Sequence, residues 1–322
     1  MVVMADIIQN HAIPLDQWVA NFIAWVTTTF AGFFTFLTNV ITSFINAFNT
    51  VLDTLPPLAM VVIFVAIALL AANWKVALFT AFSFLLIDSL QLWDPAMLTV
   101  ALVLSSSIVA LALGIPTGIL AAQFRIVEAI TQPILDFMQT MPPFVYLIPG
   151  VVLFGLGTVP ALIVTVIFAA PPAIRLTLLG IQQVSKETVE ASEAFGATRW
   201  QTLIKVELPQ AMPTIMAGVN QVIMLSLSMV VIAALIGASG LGENVQRALS
   251  QLDVGHGFTA GLGIVLIAIV LDRITRHAGQ GDLRRNLKWM LSWVQRIATP
   301  QQAVPAPAGH MRWNLRRRKP SV

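Results

Sequence analysis

The chain contains no cysteine, which excludes disulfides, thiol nucleophiles and thiolate metal sites. Charge is scarce as well. Asp, Glu, Lys and Arg make up 10% of the 322 residues, against about a quarter in a soluble domain. So few ionic groups cannot cover a water-facing surface, so a soluble fold is excluded and an all-α polytopic membrane protein is implied. Residues 1–74 hold no Lys or Arg, only Asp6, Asp16 and Asp53. With no basic n-region, the N-terminus does not read as a cleaved signal peptide. No Gly-Lys pair occurs anywhere, so no P-loop can cradle ATP phosphates, and neither HExxH nor GxSxG is present. His11, His256, His277 and His310 are isolated in sequence and read as surface residues.

What is present is apolar runs. Spanning a bilayer takes about 20 mostly apolar residues. Candidate spans run over 57–73, 76–93, 96–123, 142–157, 159–178, 211–237 and 257–272. The fourth is short and carries Pro149, Gly150, Gly155 and Gly157, which predicts a broken or tilted helix. Such a break survives in lipid only where protein or a watery cavity shelters the backbone. Lys75, Arg125 and the 185–209 segment fall inside by the positive-inside rule, which places the N-terminus outside and the basic C-terminus in the cytoplasm. The Lys and Arg gathered at the C-terminus therefore read as a topology signal and not as a nucleic-acid surface. Residues 277–322 read as a basic cytoplasmic tail with a short surface helix, attracted to anionic lipid. Residues 17–52 lack charge, and their apolar positions recur at helical spacing opposite Thr and Asn. That pattern predicts an amphipathic helix on the outer interface within an extracytoplasmic segment 1–56; an eighth spanning helix is the alternative.

Apart from Asp272, the last residue of the final span, the only plain acid within the spans is Asp88, near an outer end. Ion-driven carriers usually need intramembrane ionisable groups. The chain thus has the body of a transporter without its own motor.

The polar island "EASEAFGATRWQTLIKVELP", Glu190 to Pro209, interrupts these runs. Ser185 can cap a helix from Lys186, and Gly196 can take the left-handed conformation that stops it. Thr198 with Gln201 spells a capping box for a second short helix, and Pro209 is expected to end the unit. Two capped helices with apolar and charged faces suit a partner's groove. The stretch resembles the EAA loop of ATP-binding cassette (ABC) importer permeases. Glu190, Ala191, Gly196, Val206, Leu208 and Pro209 match its pattern, and Ser192 departs from it. The wider stretches 135–181 and 208–242 are similar to the permease of glycine betaine/proline betaine/choline importers.

That resemblance implies a type I ABC importer permease in the bacterial inner membrane. It implies a core of five helices over 96–276, preceded by two extra helices over 57–95. It implies a second copy of the chain, two ATP-binding cassette subunits that hold ATP and Mg, and an extracytoplasmic substrate-binding protein. Cofactors on this chain are not expected. Glu190, Ala191, Gly196, Ala197, Trp200, Leu208 and Pro209 would contact the ATPase. Ser105, Ser106, Ser107, Asn220, Ser226 and Ser228 are pore candidates, and Phe144, Met224 and Met229 are gate candidates. A permease for another small solute, such as an amino acid, is the alternative, followed by a self-sufficient carrier.

Overall fold

The computed structural model describes residues 14–279, and the basic tail from 280 onward lies outside the described residues. Those residues fold as helices in chain order: α1 Leu15–Thr29, α2 Ala31–Asp53, α3 Pro57–Ala71, α4 Trp74–Ser89, α5 Trp93–Gln123, α6 Arg125–Thr140, α7 Pro143–Phe154 and α8 Thr158–Gln182. Then come α9 Lys186–Ala194, α10 Arg199–Thr202, a π-helical turn Leu203–Glu207, α11 Leu208–Ala234, α12 Leu241–Gln251 and α13 Val254–Gly279.

The bundle is organised around α8, which is gripped by α5 on one side and α11 on the other. Small residues allow this. A Cβ on Gly114 would lie 2.7 Å from Cβ of Ala173, and one on Gly118 would lie 2.7 Å from the Ile174 carbonyl. Close backbone approach through small residues is how helices associate where lipid offers no hydrophobic drive. Val164, Ala169, Ala173, Val222 and Met229 fill the space between them. A second cluster joins α5 and α11 to α3, α4 and α13, with Phe64 stacked on Phe84 at 4.4 Å. Asn73 caps α4 through Oδ1, accepting the N–H groups of Lys75 and Val76. Its amide Nδ2 lies 3.2 Å from Nε2 of His277, tying this hairpin to the end of α13.

Several expectations change. Residues 17–52 form two helices broken at Phe30, where one amphipathic helix was expected. Nothing in α1 is buried, whereas α2 leans on the bundle through Ile45 and Leu52. With 23 residues, α2 is long and apolar enough to cross a membrane. The first two expected spans are helices of 15 and 16 residues, short of the usual length. The region 125–140, which lies between two expected spans, is an amphipathic helix. It meets α7 at a bend of 100°. Met141 and Pro142 are extended there because a residue preceding proline is driven out of the helical region, and Pro142 and Pro143 follow in series. Pro209 does not end the 185–209 unit. Arg199 to Ala234 is one continuous helix. The π-turn explains it: the Leu208 N–H reaches back five residues to the Leu203 carbonyl, and the widened turn accepts a proline that lacks an N–H.

Candidate coupling interface and translocation face

The 185–209 loop folds from local chemistry. The Ser185 hydroxyl accepts the Thr188 N–H, opening α9. Gly196 stops it at φ +82°, where a Cβ would be strained although nothing lies within 4 Å. The Thr198–Gln201 capping box is formed in both directions, at 2.9 Å and 3.4 Å. Ser192, the departure from the EAA pattern, ties the two helices together. Its hydroxyl donates to the Val189 carbonyl, which leaves its oxygen to accept the Thr202 hydroxyl at 2.9 Å. The anchor below is Leu208, packed against Ile181, Leu203, Ala211 and Ile215. Glu190, Ala191, Gly196 and Pro209 are exposed, and Ala197 is half-buried. Phe195 and Trp200 stand 93% and 67% exposed, which makes an apolar knob that no described residue covers.

One polar tie was not legible in sequence. Arg199 donates through Nε to Oε1 of Gln123 at 2.9 Å and through Nη2 to the Gln123 carbonyl at 2.6 Å. The Gln123 amide in turn donates to Oε2 of Glu207 at 3.2 Å. Gln123 is the last residue of α5, so one of its unpaired C-terminal carbonyls is capped by the loop. These side chains, with Lys186, Glu190 and Glu193, rim a cavity of about 450 Å³ under α9.

The pore and gate candidates separate into two groups. Met224 and Ser228 lie on one open face of α11, where the Ser228 hydroxyl donates to the Met224 carbonyl. Phe144, at the start of α7, is also exposed. Ser226 and Met229 are instead 1% exposed, and Ser105, Ser106 and Ser107 are buried with them. Ser107 donates to Ser226 across α5 and α11 at 3.2 Å. Within the protomer these five candidates are packed where α5 and α11 meet and do not line an open face. Asn220 also points away from the open face. Its amide donates to Asp272 of α13 and accepts the Thr275 hydroxyl.

Arg175, the one charge within α8, has no role legible from its neighbours in sequence. It forms an ion pair with Asp136 of α6 at 2.5 Å. The pair borders an open groove of about 390 Å³, with Thr131, Gln132 and Gln182.

Residues 114–281 match the family model described as "Binding-protein-dependent transport system inner membrane component", and the chain belongs to that family. The chain is thus an all-α membrane permease. Over 265 residues, 82% of this chain and 94% of the relative, it is 51% identical to the glycine betaine transport system permease protein OpuAB of Bacillus subtilis. It is 49% identical to the glycine betaine/carnitine transport permease protein GbuB of Listeria monocytogenes, over 82% of this chain and 95% of that one. It is 45% identical to the glycine betaine/proline betaine transport system permease protein ProW of Escherichia coli, over 88% of this chain and 80% of that one.

Proposed function

We propose that the chain is the permease subunit of an ATP-driven importer for compatible solutes: glycine betaine, proline betaine or choline. The observation that carries this reading is the 51% identity to a glycine betaine permease along nearly its whole length. The solutes named for the relatives share a quaternary ammonium, and most pair it with a carboxylate. On this reading two copies of the chain enclose the pore in the bacterial inner membrane, with N-terminus outside and C-terminus in the cytoplasm. Two ATPase subunits hold ATP and Mg beneath them, and a substrate-binding protein delivers solute above. The chain itself carries no catalytic group.

The mechanism follows from stiffness. Closure of the ATPases displaces the Phe195–Trp200 knob. Trp200 stands in the first turn of a helix that runs unbroken from Arg199 to Ala234, and Phe195 lies just before the Gly196 turn that leads into it. The knob's movement therefore enters the span directly, without a hinge at Pro209. A rigid element with two packing positions is what such coupling requires.

The test is co-purification from cells with the ATPase and binding protein, followed by reconstitution and uptake of radiolabelled glycine betaine, choline and proline. ATP-dependent uptake of a quaternary amine supports the reading. Uptake of proline alone would move the assignment to another small solute, and ATP hydrolysis by the isolated chain would sink it.

A further inference from the structure

Among the described residues, Arg175–Asp136 is the one ion pair that joins two different helices; the other three lie within a helix or across a single turn. Arg175 stands seven residues before the end of α8, about 10 Å inside a helix long and apolar enough to cross the membrane. Its side chain is 44% exposed and that of Asp136 68%. Charges held that openly against hydrocarbon are strongly disfavoured. The α6–α8 groove therefore faces water or protein and not lipid.

The rest of α6 agrees. Glu128 accepts the Gln182 amide at 3.0 Å, and Gln132 and Thr131 lie on the same side as Asp136. On the other side Ile126, Ile130, Ile134 and Phe137 form an exposed apolar stripe. The polar side is thus continuous along two helices, and it carries one cation and one anion side by side.

We propose that this groove is a transit site for a small zwitterion bearing a carboxylate and a quaternary ammonium. This rests on the function proposed above and adds the residues that meet the solute. Arg175 donates its guanidinium N–H groups to the carboxylate. Asp136 faces the quaternary ammonium, which has no N–H to donate and is held by charge alone. Because a half-exposed ion pair contributes little stability, a solute of the same paired charges displaces it at small cost. Binding is weak for the same reason, which suits a site that must release its cargo. Thr131, Gln132 and Gln182 replace lost water around it.

The absence of native cysteine makes the test direct. Leu179→Cys places one thiol on the groove wall in the complete reconstituted complex. A charged, water-soluble thiol reagent is expected to label it, and millimolar glycine betaine is expected to slow that labelling. In the Arg175→Gln background the protection is lost, and uptake falls roughly tenfold or more, the scale of one charge-assisted hydrogen bond. The double variant Asp136→Asn, Arg175→Gln removes both charges. If the pair only holds helices together, this neutral variant regains uptake over either single change; for a solute site it does not. Failure to label the thiol, labelling indifferent to betaine, or rescue by the neutral pair each overturns the site while leaving uptake by the unaltered chain intact. Absence of betaine uptake by the unaltered chain overturns the proposed function instead, and the zwitterion with it.

Discussion

Arg199 caps the carboxyl end of α5 by donating to both the side chain and the carbonyl of Gln123. A residue of the 185–209 loop thereby serves as the C-cap of a helix 76 positions earlier. Glu207, at the far end of the same elbow, accepts from the same glutamine. Any displacement of the elbow is shared between α11, with which it is continuous, and the α5–α6 corner, to which it is bonded. Removing this tie should leave the fold standing, because Arg199 is exposed and such contacts contribute modestly. Gln123→Ala and Arg199→Ala are therefore expected to lower solute moved per ATP severalfold while Tm changes little. Arg199→Lys keeps the charge but loses the fork and should fall between. Simultaneous measurement of uptake and phosphate release reads the ratio; an unchanged ratio would remove Gln123 from the transmission path.

Gly196 is a second point where stiffness and backbone conformation meet. Its φ of +82° lies in the left-handed region, and open space surrounds it. A side chain there is penalised by conformation alone, by roughly 1–2 kcal/mol for an ordinary L-residue and more for a β-branched one. Gly196→Val should uncouple hydrolysis from uptake, whereas Gly196→Asn, whose side chain tolerates that region, should retain most transport. Equal behaviour of the two variants would show that the turn is not what matters.

Much of the loop could be read in advance because its determinants are local. Ser185, Gly196, Thr198 and Gln201 each act within a few residues of themselves. What escaped depends on distance or on context. The helix α6 carries Arg125, Glu128 and Asp136, so its apolar content fell below that of a span. Pro209 reads as a stop unless the π-turn before it is known. Ser226 and Met229 share a helix with Met224 and Ser228, and only packing against α5 and α8 decides which of them is open. Arg175 is a single charge in an apolar run, and its meaning comes from Asp136, 39 residues away on another helix.

The α5–α8 crossing predicts a stability effect separate from function. A Cβ at Gly118 would meet the Ile174 carbonyl and Thr177 Cβ, both at 2.7 Å. Backbone on one side cannot yield, so Gly118→Val should destabilise by about 1–3 kcal/mol or more through overpacking. Gly261→Ala, with nothing within 4 Å of the added atom, is the control and should be neutral or slightly stabilising. Thermal unfolding in detergent separates them.

At the other end of the bundle, Asp253 opens α13 by accepting the His256 N–H at 3.0 Å, with the imidazole Nδ1 2.7 Å from its second oxygen. The backbone N–H of His256, ahead of its side chain, holds the Asp253 carboxyl below the usual carboxylate range. A lowered folded value means the stabilisation is present above the unfolded pKa and disappears as pH falls through the folded one. The exposed carboxyl limits its size. Asp253→Asn keeps a capping oxygen and should flatten this acid-side dependence of Tm, with little change at neutral pH.

Trp200 and Phe195 are large apolar side chains left in the open on a loop that also carries Glu190, Glu193 and Lys205. Lipid would reject the charges and water disfavours the rings, so a protein groove is the surface that satisfies both. If that groove belongs to the ATPase, the knob must lie in the cytoplasm. In the cysteine-free chain, Trp200→Cys should react with an impermeant thiol reagent in inverted vesicles and not in intact cells. Added ATPase subunit should then shield the thiol. Labelling from the outside would place the loop on the wrong face of the membrane, where it could not meet a nucleotide-driven partner.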